Sequence, residues 1–130
     1  MVKVEKSSES TAVPQASAAR PSYKIMADQR LRDIIIDNVQ SAVSEYGPFM
    51  AMNCTAGDGE EFSLVCGITT VWGRNCIETF ADATDLGEGE MSYTLKEKFI
   101  GRKVWIGKKS VESTKKKGKI YLALEWGFET

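Results

Sequence analysis

From residue 49 onward, apolar and polar side chains alternate along much of the chain, and short glycine-containing segments interrupt the alternation. A period of two is the pattern of a β-strand with one buried face. Residues 49–56 and 61–68 flank a Gly-Asp-Gly turn, which predicts a β-hairpin. We expect a second turn at Gly73-Arg74, leading into a third strand over residues 76–81. These segments predict a three-stranded antiparallel meander.

Two further strands are predicted near the C-terminus, over residues 99–106 and 119–126, because apolar side chains alternate in both. Pairing these strands about a loop over residues 108–118 would place Trp105 opposite Tyr121, on the face turned away from the core. The C-terminal segment is therefore predicted to form a second hairpin with a long loop.

Between residues 26 and 46 the apolar side chains recur at intervals of three and four instead. They are Leu31, Ile34, Ile35, Val39, Ala42, Val43 and Tyr46. This spacing predicts an amphipathic helix whose apolar stripe packs on the sheet. Asp28 would lie near the positive end of the helix dipole, and Gly47-Pro48 would end the helix.

The remaining segments are less regular. Residues 1–22 are rich in Ser, Ala, Thr, Glu and Pro without an apolar period, which predicts a disordered tail. Residues 23–130 are long enough to form one domain with its own core. An acidic loop is expected over residues 82–92, and residues 92–100 fit either a short helix or the approach to a strand.

The predicted fold class is α+β, with the tail and one amphipathic helix followed by a mostly antiparallel five-stranded sheet or a partly open barrel. The arrangement of a meander, a linker and a final hairpin is similar in layout to the OB-fold, the five-stranded barrel of many single-strand-binding proteins. The helix before the first strand is additional to that plan. A helix packed across an open antiparallel sheet is the alternative arrangement.

Histidine is absent from the chain, which removes the side chain that most often serves acid–base catalysis near neutral pH. Cys54, Cys66 and Cys76 match no metal-binding spacing, and we expect free, buried thiols in a reducing compartment. We predict no enzyme activity, no metal and no cofactor. With no secretory signal and no long apolar run, we expect an intracellular (cytoplasmic or nuclear) or intravirion protein that is neither secreted nor bound to a membrane.

The charges are strongly segregated although the net charge is only -1. Residues 51–93 contain one basic and eight acidic side chains, whereas residues 94–130 contain ten basic and four acidic ones. Such a division suggests a polarised surface that can orient a charged partner. The basic segment also contains an aromatic pair on the predicted outer face.

Single-stranded nucleic acid requires cations along its phosphates and flat rings on which its bases stack. We therefore predict binding of single-stranded DNA or RNA, with low sequence specificity because lysine lacks the bidentate recognition of arginine. The predicted binding residues are Lys103, Trp105, Lys108, Lys109, Lys115, Lys116, Lys117, Lys119 and Tyr121. The alternative is a non-enzymatic assembly or structural subunit, viral or from a larger complex, that forms a homo-oligomer or binds a protein partner through its acidic and basic surfaces.

Overall fold

The computed structural model describes residues 20–129, which are mostly antiparallel β-sheet with one α-helix. The elements are β1 (Arg30–Ser44), β2 (Gly47–Ala56), β3 (Glu61–Gly67), α1 (Val71–Phe80), β4 (Ala81–Gly87), β5 (Glu90–Leu95), a 3-10 turn (Glu97–Phe99), β6 (Lys103–Glu112) and β7 (Ile120–Phe128). The predicted α+β class with a five-stranded antiparallel sheet is confirmed. Most of the predicted tail, residues 1–19, lies outside the described residues.

The main sheet has the strand order β3-β2-β1-β6-β7, and β4 and β5 form a separate hairpin. In the described part of the chain β3 and β7 are edge strands that do not pair with each other, so the sheet is not closed. Helix α1 begins shortly after β3 and contacts both β3 and β7. The helix therefore lies across the open side of the sheet.

One face of the sheet forms the core. Its buried side chains include Ile34, Ile36, Met52, Leu64, Val104 and Ile106. Trp72, Cys76 and Phe80 of α1 pack onto this face, together with Phe99 from the 3-10 turn. Phe80 and Phe99 contact each other edge to face, with 4.9 Å between ring centroids.

The helix predicted over residues 26–46 is wrong, because β1 occupies most of this segment. The buried side chains of Ile34 and Ile36 belong to the core face. Ile35 is only half-buried and pairs with Thr55 of β2 on one side and Lys103 of β6 on the other. The helix of this fold lies between β3 and β4, after the first three strands rather than before them.

Two irregularities in strand pairing explain the helix-like spacing of β1. The register shifts between Leu31 and Ile34 against β6, and again just after Ile36 against β2. Asp33, in the first irregularity, has a left-handed backbone with φ of 57°. An extra residue in a strand moves the next side chain to the same face. The core-facing side chains Leu31, Ile34, Ile36 and Val39 are therefore three, two and three residues apart.

The turn predicted at Gly73-Arg74 and the strand predicted over residues 76–81 are also wrong, because both lie in or at the end of α1. The hydroxyl of Thr70 caps the helix by accepting a hydrogen bond of 3.0 Å from the amide of Gly73. Trp72, Cys76 and Phe80 are four residues apart, so all three fall on the face that α1 buries.

The C-terminal hairpin is present, but its predicted register is wrong by six residues. Trp105 pairs with Gly127, and Tyr121 pairs with Val111, so the two rings are not opposite each other. Strand β6 continues to Glu112 through residues that were predicted to form a loop. The turn itself covers only residues 113–119.

Two other predictions change at their boundaries. The acidic loop predicted over residues 82–92 is the β4–β5 hairpin, and β5 extends to Leu95. Domain structure begins before residue 23, because Ser22 forms a parallel bridge with Ser63 at the outer edge of β3. The amide of Ser63 donates to the carbonyl of Pro21 over 2.8 Å. Residues 20–22 therefore belong to the fold.

Candidate nucleic-acid interface

The turn between β6 and β7 presents three consecutive lysines, Lys115, Lys116 and Lys117, all exposed. The hydroxyl of Ser113 accepts hydrogen bonds of 3.2 Å from the amides of both Lys115 and Lys116. The amide of Ser113 donates to the carbonyl of Lys119 over 2.8 Å, which closes the turn. The turn's own backbone bonds therefore hold this row of cations at the end of the hairpin.

Arginine forms all the ion pairs within residues 20–129. Arg20 pairs with Asp37 and Glu61, and the other two pairs join Arg30 to Glu125 and Arg32 to Glu129. In this part of the chain no lysine has a carboxylate within ion-pair distance. The lysine charges are thus available to an external anion.

Trp105 lies on the face of β6 that points away from the core, and its ring is partly covered. The guanidinium carbon of Arg30 lies 4.4 Å from the ring centroid. Arg30 is held there by its ion pair with Glu125, at 3.1 Å. On the paired strand the ring packs over Gly127, where an added Cβ would lie 2.5 Å from the indole nitrogen. Trp105 is consequently packed among its neighbours.

Some of the predicted binding residues lie on the outer face of β6, and others lie near the turn between β6 and β7. Lys103 and Lys109 alternate with Trp105 on the outer face of β6, and both are exposed. Tyr121 is the second residue of β7, near the lysines of the turn, and is 40% exposed. Six residues of strand separate the rows of Trp105 and Tyr121, a span of about 20 Å at ~3.3 Å per residue. The two rings therefore cannot serve one base or adjacent bases as a single platform.

Tyr121 instead lines a groove of about 760 Å³ between the two edge strands of the sheet. Val65 and Gly67 of β3 form one wall, and Tyr121 and Leu122 of β7 form the other. The remaining lining residues are Ser22, Tyr23, Lys24, Ile25, Tyr46, Thr70, Val71, Trp72 and Lys108. The described lining contains three tyrosines and two lysines but no carboxylate, so the groove combines flat rings with positive charge.

Lys108 occupies the inner side of this groove. Its ammonium lies 4.7 Å from the ring centroid of Trp72, whose indole N–H donates to the carbonyl of Gly107 over 3.0 Å. Burial lowers the pKa of Lys108 below its ordinary value, and the nearby charge of Lys24 lowers it further. Lys108 was predicted from sequence as part of a loop, whereas it is a strand residue whose side chain lies over an aromatic ring.

Sequence reasoning missed three groove residues, namely Tyr23, Lys24 and Tyr46. Tyr46 lies in the β1–β2 turn and is 85% exposed, but the sequence analysis assigned it to the apolar stripe of a helix. Its position directly before Gly47-Pro48 is a turn signal that could have placed it outside a regular element. Tyr23 and Lys24 are near the N-terminus, and no local pattern relates them to β6 or β7.

The cysteines and carboxylates do not form a metal-binding cluster in residues 20–129. The described residues contain no group of three or more Cys, Asp or Glu placed to hold a metal ion. Cys54, Cys66 and Cys76 are buried and unpaired, and burial raises the pKa of both Cys54 and Cys76. Burial thus disfavours the thiolate form of Cys54 and Cys76. Nor does this part of the chain contain a helix long and apolar enough to cross a membrane.

Comparison with known proteins gives no independent assignment. No family model, no curated protein and no solved structure matches this chain.

Proposed function

We propose that this protein binds single-stranded DNA or RNA with little sequence specificity, and that it acts as a binding protein rather than an enzyme. The observation that carries the proposal is the groove between β3 and β7, with its three tyrosines, two lysines and no described carboxylate. The lysine turn, residues 113–119, ends two residues before Tyr121 and extends the positive charge beyond the groove. Lysines would neutralise phosphates while the rings stack on bases of any sequence.

The connectivity of the main sheet supports the proposal. We propose that this sheet is an OB-like, partly open barrel, in which α1 occupies the gap between β3 and β7. OB-folds bind oligonucleotides on the face of their second and third strands, between the first hairpin loop and the last. The corresponding loops here are the β1–β2 turn, which contains Tyr46, and the lysine turn. Both adjoin the groove.

The groove is a better stacking surface than the face that contains Trp105. A base approaching Trp105 would have to displace Arg30 from the ring and weaken its ion pair with Glu125. Tyr46 and Tyr121 have no such cover in the described residues, and both line the same groove. We therefore assign base stacking to the two tyrosines, and we regard Trp105 as a packing residue of the outer face.

The proposal is tested by fluorescence anisotropy with a labelled single-stranded oligonucleotide and the same sequence as a duplex, each at two salt concentrations. We expect preferential binding of the single strand and a steep loss of affinity with salt. Tyr46→Ala and Tyr121→Ala should each weaken binding by about 1–3 kcal/mol, the usual contribution of one stacked base. Because Tyr46 is so exposed, its replacement should leave stability unchanged, and urea denaturation would verify this.

Trp105→Phe is the matched control, because it keeps a ring in the same packing position outside the groove. We expect wild-type affinity for this variant. A loss of binding confined to Trp105→Phe, with both tyrosine variants unaffected, would move the interface to the outer face. Equal binding of duplex and single strand would reject the proposal that bases are stacked.

A second candidate function, assembly with another protein or another copy of this chain, is favoured by the β4–β5 hairpin. The hairpin has four exposed acidic side chains, and Leu86 near its tip is 61% exposed. None of these carboxylates forms an ion pair within residues 20–129. Light scattering over a range of protein concentrations should show a rising mass if this hairpin meets the basic turn of a neighbour, and a constant mass otherwise.

A further inference from the structure

Two lysines from distant parts of the chain converge in the groove. Lys24 belongs to the segment that runs along the edge of β3, and Lys108 belongs to β6. Both line the groove, and they are close enough for the charge of Lys24 to affect the titration of Lys108. Lys108 is half-buried and Lys24 is exposed. Like charges that line one groove repel each other, and an anion bound between them would relieve that repulsion.

Both lysines are held in place by anchored backbone. Next to Lys24, the amide of Tyr23 donates to the carbonyl of Ser63 over 2.8 Å, and Ile25 is buried in the core. The amide of Lys108 donates to the carbonyl of Gln29 over 3.2 Å. The ammonium of Lys108 is further positioned by the ring of Trp72. The fold thus fixes the two backbone positions from which Lys24 and Lys108 reach the same groove.

No protein group neutralises this pair in the described residues. All the ion pairs there involve arginine, and the lining of the groove contains no carboxylate. The groove also contains apolar side chains, among them Trp72, Ile25 and Leu122, which offer no counter-charge. A compact anion with several acceptor oxygens fits this environment, because each ammonium can donate more than one hydrogen bond to it.

We propose that Lys24 and Lys108 together bind one phosphate group of the strand, on the inner side of the groove beside Trp72. This inference rests on the proposed function and deepens it, since it assigns a fixed phosphate position within the interface. The lysines of the turn do not line the groove and would contact phosphates as separate point charges.

The salt dependence of binding distinguishes one shared phosphate from two separate contacts. For single strands the slope of log affinity against log salt changes by about 0.7 for each phosphate contact. Because both lysines hold the same phosphate, the double variant Lys24→Gln/Lys108→Gln should reduce the slope by only about 0.7. The comparison variant Lys115→Gln/Lys116→Gln removes two independent cations and should reduce the slope by up to about 1.4.

The measurement uses the full chain and a hydroxyl-ended oligothymidine, so that only internal phosphodiesters are present. Lys24→Arg/Lys108→Arg keeps both charges and should retain the wild-type slope, which separates loss of charge from loss of fold. Lys98→Gln, in the 3-10 turn outside the groove, should leave the affinity unchanged. A nucleoside monophosphate added as competitor distinguishes a site for a terminal phosphate, because only such a site would be blocked at low competitor concentration.

Binding should also depend on pH through Lys108. Since the pKa of Lys108 is lowered in the free protein, raising the pH through that pKa removes its charge. Binding a phosphate then requires Lys108 to take up a proton from solvent. The other titratable groups that act on it are Lys24, Cys66 and Cys76. Wild-type affinity should therefore fall at alkaline pH earlier than that of Lys108→Gln, whose profile lacks this step.

The outcomes are separable. If the wild type does not bind the oligonucleotide, the proposed function and this inference both fail. If it binds and the slope of Lys24→Gln/Lys108→Gln is unchanged, or falls by about 1.4, the shared phosphate is rejected while the proposed function stands. Strong competition by the monophosphate would reject an internal phosphodiester as the ligand.

Discussion

Replacing Gly73 with alanine should destabilise the protein by about 2–3 kcal/mol, even though alanine normally favours a helix over glycine by about 1 kcal/mol. Gly73 lies in the first turn of α1, against the backbone of Gly67. An added Cβ would lie 2.0 Å from the carbonyl oxygen of Gly67, 2.6 Å from its nitrogen and 2.7 Å from the hydroxyl of Thr70. Two of these three atoms are backbone, so no side-chain rotation can relieve the overlap.

The magnitude follows from three contributions. Overpacking a tight contact costs typically about 1–3 kcal/mol, and the upper part of that range applies where backbone must move. Displacing the hydroxyl of Thr70 weakens the N-cap, which contributes about 0.5–2 kcal/mol. The better helix propensity of alanine offsets about 1 kcal/mol of this loss. The net sign is therefore destabilising.

Urea denaturation of Gly73→Ala and of Gly67→Ala provides the assay, with the second variant as the control. Gly67 has no positive φ, and an added Cβ there meets no atom within 4 Å. Gly67→Ala should therefore be neutral or stabilising by up to about 1 kcal/mol. If Gly73→Ala proved as stable as the wild type, the close approach of α1 to the end of β3 would be refuted.

Three further changes test other parts of the fold. Trp72→Phe removes the indole N–H that donates to the carbonyl of Gly107, and should cost about 1–3 kcal/mol in urea denaturation because a buried acceptor loses its partner. Gly127→Ala should push the ring of Trp105 outward, which would appear as a red-shifted tryptophan emission; an unchanged spectrum would contradict the packing described. Asp28→Asn tests a carboxylate whose pKa is lowered by hydrogen bonds from the amide and hydroxyl of a serine in β6. That contribution to stability is complete above the pKa of an unfolded aspartate, about 3.9, and is lost as the pH falls below it. The stability difference between wild type and Asp28→Asn should shrink from pH 5 to pH 2.

Local patterns predicted the parts of the fold whose strands are regular. The first hairpin was predicted over residues 49–56 and 61–68. The predicted start of β2 is two residues late and the predicted end of β3 is one residue late. The errors are small because the turn signal and the alternation agree in this segment. In β1 they disagree, since two pairing irregularities give a strand the spacing of a helix. The three consecutive isoleucines of β1 favour a strand, and weighting this β-branched run would have corrected the prediction.

The position of α1 was missed for a related reason. Gly73 suggested a turn, but its small size is required by close packing against Gly67. The cap residue Thr70 and the spacing of Trp72 and Cys76 were the available helix signals. In a segment of only ten residues these helix signals are weaker than the turn signal of a glycine. The sequence pattern alone therefore favoured a turn.

The candidate site was predictable only in part. The lysine turn and Tyr121 were identified because they are neighbours in sequence, and the structure also places them side by side. The groove was not predictable, because Lys24 and Tyr46 reach it through the order of strands in the sheet. Trp105 does not lie opposite Tyr121 because the turn is centred three residues later than predicted. This difference shifts the partner of every residue in the hairpin by six.

The central position of β1 has a consequence for how the chain is made. One edge of β1 pairs with β2, which follows it immediately, but the other edge pairs with β6, about seventy residues later. During synthesis one edge of the isoleucine-rich strand therefore stays unpaired until β6 has left the ribosome. Contacts of this sequence separation slow folding, and an unpaired apolar strand is prone to associate with other chains. Truncation from the C-terminus should for this reason yield aggregation rather than a smaller folded domain.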